Sequence, residues 1–465
     1  MSGPCRREHI VLIPGFAGFD ALGQLEYYAG VTPLLRQWQA DHDATAPVVL
    51  HYFENLPTAS VATRALRLRR YLAKRFARGE LQPGDTVSLV GHSTGGLDIR
   101  QLLLDLDGEA RRAGAHVAVD GNREDAFRVP PSELLQLVER VVFLSVPQRG
   151  TNLADWVRRL PRKLAIGQLR LLVGAARMSA ANDVEALAAR SFGYALRSDL
   201  FLAVSDAVGE MDARAVKGDP ARSADAHAAA SELELYLTHV ASDFGAIDDL
   251  AGEPDPRHGS PAHFTEEQRD AERQVWRHWG IETRSYATIG RRPYRFAPGE
   301  VVPAWDLRRP STGPWSRLVD GGWARADVAY LCGYRACAGG PFAVPEPAGP
   351  LVAKLLGTSE PRTMETWDND GIVNTASMLW PDGEETRLVD ADHGDIVGHY
   401  RLVEATDGAP LRRYHTYDLL RSDSGFTEAG FKDVWRDVFA FCAIPGPRTQ
   451  RERPPHRGSA RGAGP

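Results

Sequence analysis

The stretch TVSLVGHSTGGLDIRQLLLDL, residues 86–106, decides the fold. Its first five residues, TVSLV (86–90), are typical of a buried strand, and the apolar spacing after residue 96 predicts a helix. Between them stands GHSTG (91–95), a G-x-S-x-G pattern. A strand, a tight glycine-containing turn and a helix form the context in which the hydroxyl of Ser93 is exposed at the edge of a sheet. The plainer interpretation is a glycine-rich turn that carries an ordinary serine.

Similar strand-like runs recur along the chain and alternate with helical stretches. Residues 59–78 and 426–443 have the apolar spacing of amphipathic helices, and Thr265 with Gln268 predicts a capping box at the start of another. Mostly continuous apolar strands separated by helices indicate an α/β protein whose parallel sheet is covered on both faces. The strand-like runs are HIVLI (9–13), VVLHYF (48–53), VVFLSV (141–146), RSYATIG (284–290) and TRLVDA (386–391).

Composition excludes several classes of protein. The 465 residues are 43% hydrophobic and 25% charged, which is typical of a globular chain, and the net charge of −6 gives no reason to expect a nucleic-acid partner. No run approaches the roughly 18 apolar residues that a transmembrane segment needs. The start MSGPCRREHIVLIPG has no signal-peptide pattern, so we expect a cytoplasmic protein, with secretion possible if an upstream segment is missing.

Four cysteines do not make a disulfide scaffold. We expect free thiols at Cys5, Cys332, Cys337 and Cys442. In an oxidising compartment Cys332 and Cys337 are the pair that could form a bridge.

The pattern of elements divides the chain into a core and insertions. Residues 1–151 are predicted to form the first part of the core. Residues 152–280 are predicted to form a helical cap, because 152–245 are rich in Ala and Leu and lack a strand run. The second part of the core is predicted at 281–445, with a loop-rich insertion at 291–362 that is rich in Pro, Gly and Arg. Residues 446–465 have almost no apolar side chains and are predicted to be disordered.

A nucleophilic serine needs a base, and the base needs an acid that orients it. In a strand–turn–helix site of this kind the three follow in the order Ser, acid, His. His393 directly follows the last predicted strand and is the candidate base, with His399 as the alternative. His92, inside the turn, is expected to pack beneath the loop. The competing interpretation of His393 is a surface loop histidine.

The acid is expected on WDNDGIV (367–373), between the strand at 284–290 and His393. Asp370 before Gly371 is the candidate and Asp368 the alternative. Either could instead be an Asx-turn residue, a common role of Asp before Gly.

Two backbone amides are candidates for binding a developing oxyanion. One is that of Thr94, which starts the helix after Ser93. The other is that of Phe16, which follows the first strand and a glycine. Losing one such donor typically costs about 3 kcal/mol of transition-state stabilisation. The alternative is a plain turn whose phenylalanines belong to the core.

Five segments together resemble the bacterial triacylglycerol lipases of the α/β-hydrolase superfamily. They occur in that family's order, although a His-Gly pair is usual where Pro14-Gly15 stand and a leucine where Gly394 stands. The segments are IPGFAGFDALGQLEYYAG (13–30), GHSTGG (91–96), VPQRGT (146–151), NDGIVNTASM (369–378) and DHGDIVG (392–398).

The resemblance implies an α/β-hydrolase fold, with a mostly parallel central sheet, helices on both faces and an inserted helical cap or lid. It implies Ser93 as nucleophile, Asp370 as acid and His393 as base, with Phe16 and Thr94 as oxyanion donors. No cofactor is required. Many members bind calcium near the histidine, which makes Asp395 a possible calcium ligand.

The sequence therefore predicts a serine carboxylic-ester hydrolase, a lipase or lipase-like esterase. Its partners would be an ester or lipid substrate and a transient lipid interface, with no nucleic acid and no transmembrane segment. An acyltransferase or a polyester depolymerase with the same triad is the first alternative. A non-catalytic lipid-binding protein of the same fold is the second.

Overall fold

In the part of the chain that the structure describes, eight strands form one sheet. They are β1 Glu8–Ile13, β4 Val48–Tyr52, β5 Thr86–His92, β6 Val138–Leu144, β7 Glu282–Ile289, β8 Leu351–Leu355, β9 Pro361–Met364 and β10 Arg387–Asp390, and a separate two-stranded ribbon joins β2 Ala21–Leu22 to β3 Leu25–Glu26. The order in the sheet is β4-β1-β5-β6-β7-β10-β8-β9. Seven of the eight strands run parallel, and β9 pairs antiparallel with β8 at one edge.

A computed structural model describes the parts of the chain that build this sheet and its helices. They are residues 7–16, 21–22, 25–42, 48–113, 129–159, 245–251, 260–292, 328–339, 351–358, 361–380, 386–400, 420, 422 and 424–443. The predicted tail at 446–465 and most of the predicted cap lie outside them. None of the helices in these ranges combines the length with the apolar composition needed to cross a membrane.

Helices cover both faces of the sheet, as the sequence predicts for buried parallel strands. They are α1 Val31–Asp41, α2 Val61–Ala77, α3 Thr94–Ala113, α4 Pro131–Leu137, α5 Asn152–Arg159, α6 Gly245–Leu250, α7 Glu266–Trp279, α8 Val328–Gly339 and α9 Glu428–Ala443. The capping box at Thr265 and Gln268 is confirmed, with both of its hydrogen bonds present.

Alternate residues of the central strand β1 enter two different cores. Val11 and Ile13 of β1 point to a core with α2, α3 and α4. Ile10 and Leu12, whose side chains lie on the opposite face of the sheet, point to a core with α1 and α9. Because the side chains on both faces of β1 are buried, its sequence is a continuous apolar run rather than an alternating one.

Two predicted insertions contain more of the sheet and its covering layer than the sequence indicates. In the predicted cap, 152–280, α6 and α7 contribute Leu250 and Trp276 to the core on the α2–α3 face of the sheet. In the predicted loop-rich region, 291–362, α8 and the strands β8 and β9 are regular elements. These strands are short and lie at the sheet edge, where an apolar run is not required.

Candidate active site

Ser93 lies at the turn between β5 and α3 in a backbone conformation that few residues other than glycine adopt. Its φ is +53°, and its amide donates a hydrogen bond to the carbonyl of Leu144 at the end of β6. Such a conformation costs about 1–3 kcal/mol, and neighbouring structure must impose it. It is the geometry of a nucleophile elbow, which holds a serine above the edge of the sheet.

Close backbone approach explains two of the glycines around this turn. A Cβ on Gly91 would lie 2.6 Å from the amide nitrogen of Gly96. A Cβ on Gly15 would lie 2.5 Å from the Cβ of Ser93. The turn between β5 and α3 can therefore close only because Gly91 lacks a side chain, and the loop after β1 can touch that turn only because Gly15 lacks one.

Asp370 and His393 meet beside the elbow. His393 Nδ1 lies 2.7 Å from Asp370 Oδ2, and the His393 amide donates to the Asp370 carbonyl at 3.1 Å. Asp370 is fully buried, and its carboxylate also accepts the hydroxyl of Thr288 and the amides of Ile372 and Val373. The Asp370 carboxylate and backbone thus fix both the ring and the main chain of His393.

The ring of His393 also lies next to the residue that precedes Ser93. The ring centroids of His393 and His92 are 4.6 Å apart, and the backbone carbonyl oxygen of His393 lies 3.0 Å from His92 Nε2. The structure therefore brings the predicted nucleophile, base and acid to one end of the sheet, where β5, β7 and β10 terminate.

The alternatives that the sequence leaves open have other partners. Asp368 is buried against Arg292, with Asp368 Oδ1 2.6 Å from Arg292 Nε. His399 Nε2 lies 3.0 Å from the carbonyl of Tyr27. His92 is 2% exposed and lies beneath the loop, as expected from its place inside the turn.

Arg64 organises the loop that carries the predicted oxyanion donor Phe16. Its guanidinium donates to the carbonyl of Pro14 at 2.7 Å and to that of Gly15 at 3.2 Å. The C=O and N–H of a trans peptide point in opposite directions. Holding the Gly15 carbonyl therefore directs the Phe16 amide away from the buried guanidinium. The second predicted donor, Thr94, starts α3, where helix amides lack intrahelical acceptors.

A buried carboxylate compensates the charge of Arg64. Both Asp98 oxygens accept from Arg64 Nε, at 3.1 and 2.9 Å, and Asn55 donates to the same carboxylate at 3.0 Å. Burial raises the pKa of Asp98 to about 6, although Arg64 acts in the opposite direction. Pairing and hydrogen bonding let these charges lie at 0% exposure beneath the site.

Helix α8, from the predicted loop-rich region, binds the loop at 367–374 that carries Asp370. Asn369 Nδ2 donates to the Tyr334 carbonyl at 3.0 Å, and Asn374 Nδ2 donates to the Cys337 carbonyl at 3.1 Å. Cys337 is a free buried thiol whose pKa burial raises to about 12, and Cys442 is also free and buried. The side chain of Cys332 lies outside the described residues.

Asp395, the predicted calcium ligand, accepts two hydrogen bonds from nearby residues. Its Oδ2 accepts the amide of Asp392 at 2.8 Å and the hydroxyl of Ser424 at 2.7 Å. Calcium takes six to eight oxygen ligands. No group of three or more His, Cys, Asp or Glu side chains in the described ranges is arranged to hold a metal ion. Asp395 thus links the segment that carries His393 to Ser424, and its role as a calcium ligand stays a prediction.

Sequence reasoning missed three residues of this site: Arg64, Tyr27 and Thr288. Arg64 had a signal, because it occupies a position on the apolar face of α2 together with Val61, Ala65 and Leu68. Tyr27 and Thr288 had none, since their hydroxyl partners come from distant parts of the chain.

No protein-family model and no curated protein matches the chain. Similar solved structures include EstA from Clostridium botulinum, at 16% identity over 95% of this chain and 88% of that chain, with a TM-score of 0.42. Lipase 1 from Pelosinus fermentans is 16% identical over 84% and 94%, with a TM-score of 0.37. The mature lipase BlEst2 from Bacillus licheniformis is 13% identical over 85% and 89%, with a TM-score of 0.34.

The fold assignment rests on the molecule itself rather than on these matches. Seven parallel strands, helices on both faces and a strained serine between β5 and α3 define the architecture. The chain has an α/β-hydrolase fold.

Proposed function

We propose that the protein is a serine carboxylic-ester hydrolase, a lipase or lipase-like esterase. One observation carries the proposal: a buried Asp370–His393 hydrogen bond of 2.7 Å lies beside a serine at φ +53°. A serine hydroxyl becomes a good nucleophile when an oriented imidazole accepts its proton. An acid, a base and a strained serine at one end of a parallel sheet are the parts that acyl transfer requires.

In the first half-reaction, Ser93 Oγ attacks the ester carbonyl carbon while His393 Nε2 accepts the hydroxyl proton. The carbonyl oxygen becomes an oxyanion, which accepts hydrogen bonds from the Phe16 and Thr94 amides. Asp370 accepts from His393 Nδ1 and stabilises the imidazolium. When the tetrahedral intermediate collapses, the imidazolium gives its proton to the leaving alcohol, and the acyl group stays on Ser93.

In the second half-reaction, water replaces the alcohol. His393 Nε2 takes a proton from the water as its oxygen attacks the acyl-enzyme. Collapse returns that proton to Ser93 Oγ and releases the carboxylic acid. The same site, given an alcohol in place of water, would transfer the acyl group instead.

The substrate class follows from the lipase resemblance. Its motifs favour esters of fatty acids. The predicted cap begins with helix α5, which carries Trp156 and, two residues later, Arg158. We expect this region to shape acyl-chain preference and to meet a lipid surface transiently. A panel of esters from two-carbon to eighteen-carbon acyl chains, with and without an oil–water interface, tests this. A rate jump above the solubility limit supports a lipase, and its absence supports an esterase.

The decisive experiment compares two buried serines of the same strand–turn segment. Ser93→Ala should abolish p-nitrophenyl ester turnover and labelling by a fluorophosphonate. Ser88→Ala is the matched control, because Ser88 is also buried in β5 and its hydroxyl donates to the Cys442 carbonyl, at 3.4 Å, away from His393 and Asp370. It should keep both properties. Normal turnover in Ser93→Ala would contradict the proposal, and an unlabelled wild-type protein without turnover would favour a lipid-binding role.

A further inference from the structure

A chain of three hydrogen bonds connects the loop after β1 with the loop that carries His393. The Gly15 amide donates to Tyr27 Oη at 2.9 Å. Tyr27 Oη lies 2.6 Å from His92 Nδ1, and His92 Nε2 lies 3.0 Å from the carbonyl oxygen of His393. Its two middle members, Tyr27 and His92, have no role in the acyl-transfer steps of Ser93 and His393.

Chemistry settles the direction of every bond in it. A backbone N–H can only donate and a backbone carbonyl can only accept. His92 must therefore carry its proton on Nε2, facing the His393 carbonyl. A neutral ring then has a lone pair on Nδ1, so Tyr27 donates to His92 and accepts from Gly15.

Burial keeps His92 in this neutral form. Its pKa lies well below the ordinary value because of burial first and then because of the nearby His393 and His399. Burial likewise raises the pKa of Tyr27, so its phenol keeps the proton it donates. Both partners hold one fixed protonation state at neutral pH, which leaves a single arrangement of protons in the chain.

A second contact joins the same two loops. His399, six residues after His393, has Nε2 3.0 Å from the backbone carbonyl of Tyr27. Tyr27 is thus linked to the histidine loop through its hydroxyl and through its main chain. Its position depends on that loop, and the position of Gly15 depends on Tyr27.

We propose that Tyr27 and His92 are positioning residues that set the oxyanion loop and the catalytic histidine relative to each other. The inference rests on the proposed function. Gly15 directly precedes the predicted donor Phe16, and the His393 carbonyl belongs to the predicted base. Donors and bases accelerate a reaction only when they are held in the productive geometry before the substrate reacts. The pair provides this hold without touching substrate.

The Tyr27→Phe variant removes one oxygen atom and leaves the Gly15 amide and His92 Nδ1 without their partner. We expect kcat to fall about 10–100-fold, because small misplacements of catalytic groups have effects of this size. KM should stay within about twofold, since ground-state binding does not use the oxyanion hydrogen bonds. Ser93 phosphonylation by a fluorophosphonate should slow by a similar factor.

Tyr28→Phe is the matched control. Tyr28 is the neighbouring tyrosine, is 1% exposed, and donates its hydroxyl to the Ile13 carbonyl at 2.7 Å. Tyr27→Phe loses the hydrogen bonds to Gly15 and His92, and Tyr28→Phe loses the one to Ile13, so we expect both variants to lower Tm. Only Tyr27→Phe should lower kcat and the phosphonylation rate.

A double-mutant cycle with His92→Asn tests whether the two residues act as one unit. The Tyr27→Phe/His92→Asn protein should be no slower than the slower single variant, because removing either residue breaks the same chain. Multiplicative losses, or equal losses of kcat in Tyr27→Phe and Tyr28→Phe, would overturn the positioning role. A wild-type kcat in Tyr27→Phe would also overturn the positioning role. If a fluorophosphonate still labelled Ser93, the proposed function would stand. An unlabelled wild-type protein would instead refute the proposed function, and this inference with it.

Discussion

Two buried histidine–aspartate pairs lie at opposite ends of the same sheet. His393 Nδ1 is 2.7 Å from Asp370 Oδ2 near the carboxyl ends of β7 and β10. His9 Nε2 is 3.2 Å from Asp85 Oδ2 at the amino ends of β1 and β5. The residue types are the same, but only the first pair lies beside an elbow serine. Position in the sheet, rather than the pair itself, therefore indicates chemistry.

The two carboxylates also differ in what compensates their charge. Burial alone would raise the pKa of Asp85, but the Arg7 side chain, 2.9 Å away, and amide donors lower it. Asp370 receives uncharged donors, among them the Thr288 hydroxyl at 2.6 Å, and no Arg or Lys of the described residues forms an ion pair with it. The charge of Asp370 is therefore available to stabilise an imidazolium on His393, whereas Arg7 already neutralises that of Asp85.

The largest expected effect separates these pairs directly. Asp370→Asn should lower kcat about 10⁴-fold, because the amide no longer holds the required histidine tautomer. Asp85→Asn should leave kcat within about twofold and lower Tm instead. Steady-state ester hydrolysis gives kcat, and thermal unfolding gives Tm, for both variants. Equal losses of kcat at equal Tm would mean that the amino end takes part in catalysis.

The next effect concerns the buried arginine at the active-site end. Arg64→Met should lower the free energy of unfolding by about 3–5 kcal/mol, because it leaves a buried Asp98 charge without its partner. Arg67→Met, on the exposed face of the same helix, should change it by no more than about 0.5 kcal/mol. Urea unfolding compares the two. A small effect of Arg64→Met would show that Asp98 protonates at little cost.

His51, whose Nε2 lies 2.8 Å from Nδ1 of His9, should control acid stability. Burial first, and then Arg75, His9 and Arg7, lower the pKa of His51 to about 4. The folded state thus favours neutral His51, and the unfolded state binds its proton near pH 6.5. The contribution of His51 to the free energy of unfolding is therefore fully present above about pH 6.5. It is lost as the pH drops toward 4, which lowers the free energy of unfolding by about 2–3 kcal/mol.

The His51→Gln variant tests this acid dependence. Its free energy of unfolding should fall less steeply between pH 6.5 and 4 than that of the wild type, and ester hydrolysis at pH 8 should not change. An unaltered slope in urea unfolding at several pH values would assign the acid dependence to other groups, with His9 the nearest candidate.

The smallest expected effect tests how the uncharged donors contribute to holding Asp370. Thr288→Val removes one donor to Asp370 and should cost about 1–2 kcal/mol of stability. We expect a several-fold loss of kcat, because the remaining amide donors still orient the carboxylate. Thr288→Ser keeps a hydroxyl and should recover most of the activity. Full activity in Thr288→Val would show that the amides alone suffice.

The elements that the sequence predicted are those with strong local signals. The strand before Ser93, the helix after it and the closing helix α9 combine continuous or periodic apolar residues with clear turn residues. Helix α8 was missed because its residues, VAYLCGYRACAG, lack an amphipathic period and follow a stretch rich in Pro and Gly. The strands β8 and β9 were missed because they are short and β9 begins with proline.

Local sequence by itself determined the strand–turn–helix around Ser93 and the order in which candidate acid and base follow. These features depend on backbone preferences and on residues close in the chain. Tertiary structure alone decided that Asp370 rather than Asp368 faces His393, that Arg64 holds the loop of Phe16, and that Tyr27 and His92 connect two distant loops. Each of these depends on a hydrogen bond between segments far apart in sequence, and packing of the two cores sets those distances.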